Sequence, residues 1–143
     1  MHPVDDLASF LVGSWQLTRE IIDRRTDTTT WMSGTANVHV DTNVLVQQEN
    51  GLLDLGDQQI DSSSSRRYLL RDPAVADVTF EDGRPFHDLD LRTGSWSPTY
   101  LCGADKYEGK FIVIDQTQWT TTWTVTGPAK DMTLVSSYER GTT

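Results

Sequence analysis

Between residues 13 and 140 the apolar side chains recur at every second position in one short run after another, a pattern that specifies strands with one dry and one wet face. In the first run Trp15, Leu17, Arg19 and Ile21 share a face, opposite Gln16, Thr18 and Glu20. In a late one Trp119, Thr121, Trp123 and Val125 face away from Gln118, Thr120, Thr122 and Thr124. The helical period is confined to residues 5–11, where Leu7, Phe10 and Leu11 share a face behind two acidic residues that complement the helix dipole. The runs fall at 13–22, 31–40, 43–49, 66–71, 75–80, 86–91, 99–103, 107–114, 118–126 and 132–140. The gaps at 23–30, 61–65 (Asp-Ser-Ser-Ser-Ser) and 94–98 are expected loops, and Gly51 and Gly56 bound a further link. Asp82-Gly83 and Gly127-Pro128 mark hairpin turns.

Nine or ten short strands with one short helix and no βαβ alternation predict an all-β chain. Its economical form is a single antiparallel up-and-down barrel of 8–10 strands, because closure removes exposed edges. At 143 residues the chain is expected to form one domain, 1–143. Gly13 permits a tight turn into the first strand, Trp15 would plug the barrel end, and Arg140 from the last strand could lie across the indole. These three are expected to close the barrel structurally.

The formal charge of −9 disfavours a polyanionic partner, and Arg24-Arg25 and Arg66-Arg67 are expected to be solvated surface pairs, so no nucleic acid is expected. No apolar run approaches the ~20 residues that span a bilayer, so no membrane partner is expected. Neither a signal-like N-terminus nor a possible internal disulfide accompanies the single Cys102, which together suggest a cytoplasmic protein. His2, His39 and His87 lack metal-ligand spacing, and His39 should face outward. Neither a metal nor a cofactor is expected, although an inward His87 is what a haem in an open barrel would require.

The phase set by Trp15 and Arg140 turns Arg19 and Tyr138 into the barrel. Charge placement on 86–91 turns His87 in and Phe86, Asp88 and Asp90 out. Tyr68, Tyr100 with Cys102, Tyr107 with Phe111, and Glu49 join the interior, as do Trp119 and Trp123. A face of phenols, an imidazole and a guanidinium is costly to bury as filler, and suits a small-molecule pocket. His87 is the candidate proton carrier, with Arg19, Tyr68 and Tyr138 as stabilisers of a developing oxyanion. Glu49, Tyr100, Cys102, Tyr107, Phe111, Trp119 and Trp123 are the candidate ligand-binding residues. Against these stand plainer readings: an Arg19–Glu49 ion pair, a hydrogen-bonded interior His87, structural tyrosines and an inert, buried Cys102.

Gly13-x-Trp15 with Arg140 resembles the calycin group, which comprises lipocalins and fatty-acid-binding-like barrels. Several stretches resemble a bacterial and fungal lipocalin-like family of unknown function. These are Trp15-x-Leu17-x-Arg19-x-Ile21, Glu49-x-Gly51, Val78-x-Phe80-x-Asp82-Gly83-Arg84-x-Phe86-His87, Cys102-x-x-Asp105-x-Tyr107 and Trp119-x-x-x-Trp123-x-Val125-x-Gly127-Pro128-x-Lys130-Asp131. The family carries a His two residues before the Cys, where this chain has Tyr100. The resemblance implies a fold and a pocket without an assigned reaction. The functions to weigh are a cofactor-independent cyclase, isomerase or dehydratase of natural-product metabolism acting on a hydrophobic or aromatic molecule, and a non-catalytic binder of a fatty acid or aromatic carboxylate. A filled barrel acting as an interaction domain is a third. A homodimer through the outer threonines of 118–126 competes with an ordinary solvated face.

Overall fold

The computed structural model describes residues 1–140; residues 141–143, the end of the expected domain, lie outside the described residues. After a short helix α1 (Leu7–Leu11) come strands β1 (Gly13–Asp23), β2 (Thr28–Asp41), β3 (Val44–Asp54), β4 (Gln59–Leu70), β5 (Val75–Phe80) and β6 (Pro85–Asp90). They are followed by β7 (Ser95–Trp96), β8 (Thr99–Cys102), β9 (Asp105–Asp115), β10 (Gln118–Gly127) and β11 (Lys130–Arg140). One antiparallel sheet runs β6-β5-β4-β3-β2-β1-β11-β10-β9-β7, with β8 added on β9. This is a nearly closed up-and-down barrel with a short N-terminal helix.

Closure comes from β1, which pairs with β2 on one side and with β11 on the other, Trp15 lying opposite Arg140. The sheet's two ends, β6 and β7, share no backbone ladder among the described residues. The Trp96 indole N–H instead donates to the Asp88 carbonyl at 2.9 Å. The N-terminal segment seals one end: His2 N–H donates to Val113 O, Val4 N–H to Leu91 O and Leu7 N–H to Pro73 O. Asp6 caps α1, its carboxylate accepting from Ser9 N–H at 3.0 Å. Leu7, Phe10 and Leu11 then pack into the core beside Trp15.

Arg140 and Trp15 form the floor at this end. The guanidinium lies 3.9 Å above the indole and donates to the carbonyls of Val12 and Phe10. The Trp15 N–H donates to Leu11 O. Gly13 is required here, since φ is +128° and a Cβ would stand 2.7 Å from Arg140 Nη1.

Several expected boundaries change. The serine run 61–65 is part of β4, β3 continues through Gly51 to Asp54, β2 begins at Thr28, and the expected loop 94–98 contains β7, which pairs with β9. Gly51 is not a link residue but stands opposite Gly34, where a Cβ on either residue would overlap the partner backbone. Two strands that must approach this closely admit only glycine. The serines fit the wall because Ser64 pairs with Glu49 and donates to it at 3.3 Å, so its hydroxyl is satisfied within the barrel.

Candidate functional site

The barrel holds a cavity of about 180 Å³ whose wall combines aromatic rings with a polar cluster. β1 supplies Arg19, β3 Gln47 and Glu49, β4 Ser64, Arg66 and Tyr68, and β11 Ser136 and Tyr138. The aromatic side comes from Phe86 and His87 on β6, Tyr107 and Phe111 on β9, and Trp119 and Trp123 on β10.

The polar cluster is saturated from within. Arg19 Nε donates to Ser136 Oγ at 2.7 Å and Nη2 to Glu49 Oε1 at 2.9 Å and Tyr138 OH at 3.2 Å. Its Nη1 faces Met32 Sδ at 3.6 Å. Glu49 also accepts from Tyr138 OH at 2.6 Å and Gln47 Nε2 at 2.8 Å, while Tyr68 OH donates to Gln47 Oε1 at 2.6 Å. Burial works against the Glu49 charge, but the Arg19 guanidinium and the donors around it hold the carboxyl below its ordinary value. Burial also opposes the Arg19 charge; Tyr138 and Glu49 outweigh it and raise the pKa. The Tyr68 and Tyr138 hydroxyls are pushed up, first by burial and then by the Glu49 charge, so both remain protonated donors. The Arg19–Glu49 ion pair is therefore the plainer of the two sequence readings. Arg19, Tyr68 and Tyr138 come together, with their hydrogen bonds already directed at Glu49 and Gln47.

His87 stands apart from this cluster. Nδ1 lies 2.6 Å from the Asp88 carbonyl, which makes it the protonated nitrogen and leaves Nε2 as an acceptor. Burial lowers its pKa, only partly offset by Asp88, and the nearby Arg66 charge adds to the lowering. The imidazole is neutral near pH 7 and packs on Phe86, Phe111 and Trp123.

Phe86 does not face outward as its alternation with His87 suggests. Val78 pairs with His87 but Thr79 pairs with Pro85, so a bulge in β6 leaves Phe86 as the extra residue. A bulge re-aims a side chain, and here two successive residues line the cavity. The Phe86 ring stacks on Trp123 at 5.0 Å and 21°. Trp119 stacks on Tyr138 at 3.9 Å and 6° and on Phe111 at 6.2 Å and 12°. Its indole N–H is the one buried side-chain polar atom without an acceptor among the described residues.

Three further placements correct the sequence reading. Cys102 is neither inward nor buried: it is exposed, because β8 has reached its hairpin turn at Gly103 there. Tyr100 is half-buried outside the cavity wall, against Phe80, Phe86 and Tyr107. Arg66 is not a surface cation but a cavity residue. It follows Ser64 and precedes Tyr68 on the inner face of β4, so the alternation that found Tyr68 also marks it. Gly109 is a second missed residue. It pairs with Trp123, whose ring occupies the space a Cβ would need, 2.7 Å away.

The barrel defines a class: its fold is that of lipocalin- and calycin-type β-barrels. The S-type phycobiliprotein lyase of Guillardia theta superposes with a TM-score of 0.67 at 9% identity, over 94% of this chain and 90% of the lyase. A Nostoc punctiforme PCC 73102 protein of unknown function from the DUF3598 family matches with a TM-score of 0.67 at 13% identity, over 99% of this chain and 51% of its own. The barrel EF1p2_mFAP2b, bound to DFHBI, matches with a TM-score of 0.54 at 15% identity over 96% and 98% of the two chains. No curated protein sequence matches the chain. Within this class the chain belongs to DUF6314, a family of unknown function, which it matches over residues 11–140. No helix among the described residues is long and apolar enough to cross a membrane.

Proposed function

We propose that this barrel binds a small, flat, one- or two-ring aromatic molecule against Trp123, Phe86 and Phe111. The observation that carries this reading is a ring-walled cavity beside a polar cluster that satisfies itself. Cavity size favours the aromatic over the fatty-acid alternative. An apolar cavity of about 150 Å³ is enough for benzene, whereas pockets for larger ligands run from about 300 Å³. A cavity of about 180 Å³ falls at the small end. EF1p2_mFAP2b, a barrel of this fold bound to DFHBI, supports the reading as a case of the fold binding a small molecule. A cytoplasmic setting goes with the reading, since the single cysteine allows no internal disulfide.

Titration with 2-naphthamide, followed by intrinsic tryptophan fluorescence, tests the proposal. Saturable quenching is expected, with palmitate producing none; quenching by palmitate alone would replace the aromatic reading with a lipid one.

A second reading, a cofactor-independent isomerase, cyclase or dehydratase, is favoured by one observation. His87 presents a neutral imidazole whose Nδ1 proton is fixed on a carbonyl, so Nε2 is suited to accept a proton from a bound carbon acid. Arg19 and Tyr138 through Glu49, and Tyr68 through Gln47, would then shape the polar end of the site. Deuterium wash-in at the acidic C–H of 2-tetralone measures this chemistry directly. Catalysis predicts exchange above the buffer rate that His87→Ala abolishes while binding persists; exchange unchanged by that substitution would remove the enzyme reading.

A further inference from the structure

The charges on the cavity wall do not cancel. Arg19 and Glu49 neutralise one another at 2.9 Å. Arg66 also lines the cavity, and among the described residues no carboxylate lies within ion-pairing distance of it. One of its donors is used, Nη1 to the Ser65 carbonyl at 2.9 Å. The guanidinium is otherwise held by rings, with Cζ 5.1 Å from the Phe80 centroid and 5.4 Å from that of Phe86. Arg84 shares the Phe80 ring at 5.2 Å but is paired with Asp82 at 2.7 Å. A chain of net charge −9 thus keeps a cavity with an unbalanced positive charge beside its stacking wall.

We propose that Arg66 is an anion anchor and that the ligand class is aromatic carboxylates. The ring of such a ligand would lie against Trp123 and Phe111, since Phe86 is already stacked between Phe80 and Trp123, and its carboxylate would take the open edge of the Arg66 fork. Rings hold the guanidinium plane by cation–π contact without consuming its N–H groups, which leaves a planar donor pair matched to a carboxylate. Arg19, the residue that sequence alone suggests for this task, has Nε and Nη2 directed at Ser136, Glu49 and Tyr138 and Nη1 turned to Met32 Sδ. This inference rests on the aromatic-ligand reading and adds the charge of the ligand to it.

The test compares 2-naphthoate with 2-naphthamide, which has nearly the same shape and no charge, by tryptophan quenching of the wild type, Arg66→Gln and Arg66→Lys. The wild type is expected to prefer the carboxylate by about tenfold, the scale of a charge-assisted hydrogen bond at a half-buried site. Arg66→Gln is expected to erase that preference while leaving naphthamide affinity within about twofold. Arg66→Lys, which keeps the charge and loses the fork, should retain part of it. Circular dichroism and the naphthamide titration together establish that each variant is folded. Equal affinity of the wild type for both compounds, or a preference that survives Arg66→Gln, overturns the anchor and leaves the aromatic reading standing. Failure of both compounds to bind overturns both.

Discussion

At the scale of single residues, the organising fact is that Glu49 accepts four side-chain donors: Arg19, Gln47, Ser64 and Tyr138. A buried carboxylate with this many partners holds β1, β3, β4 and β11 in one arrangement. Breaking one side of a buried ion pair costs about 3–5 kcal/mol, because the surviving charge loses its compensation, whereas replacing both partners costs far less. Glu49→Leu should therefore destabilise the barrel by about that amount. Combining it with Arg19→Met should restore at least half of the loss, as measured by urea unfolding. If the double variant is as unstable as the sum of the two single ones, the pair is not the unit described here. Arg66, by contrast, sits in the wall without a counter-ion, and its replacement should act on ligand choice more than on stability.

At the scale of elements, the strands follow from alternation, and the places where alternation fails have identifiable causes. Trp15, Arg19 and Tyr138 were readable because β1 and β11 keep an unbroken period of two through their full register. Phe86 was not, because a single extra residue in β6 reverses the phase of everything on one side of it. The serines of β4 read as a loop by composition, yet a paired wall with an inward acceptor at Glu49 accommodates them. Cys102 shares Tyr100's phase but lies at a hairpin end, where periodicity says nothing about burial. Gly109 illustrates a different limit: its importance comes from a cross-strand neighbour, Trp123, that is fourteen positions away in sequence. Gly109→Ala should push the Trp123 ring toward the cavity and weaken 2-naphthamide binding at least about threefold, with a stability loss of about 1–3 kcal/mol from overpacking. Fluorescence titration and urea unfolding report the two effects; unchanged affinity would mean that Trp123 does not set the cavity's size.

At the scale of the whole molecule, acid should weaken the barrel in two windows. Glu49 and His87 both have folded pKa values below their ordinary ones, so in each window the unfolded chain binds more protons than the folded one. For His87 the stability present above its ordinary value of 6.5 is lost as pH falls through the lowered folded value. For Glu49 the same loss begins below 4.5 and continues through its own lowered value. Urea midpoints measured against pH should decline in both ranges, and His87→Gln should flatten the upper one; a slope unchanged by that substitution would remove His87 as its source. The central claim, that an aromatic ligand enters the barrel, is open to one direct measurement, because the five tryptophans sample different environments. Trp119 and Trp123 line the cavity, Trp15 lies in the floor under Arg140, and Trp31 is exposed on β2. With the indole N–H signals assigned in a ¹⁵N–¹H spectrum, added 2-naphthamide should shift Trp119 and Trp123 and leave Trp31 in place. A shift confined to Trp31, or no shift at any indole, would contradict a binding site inside the barrel.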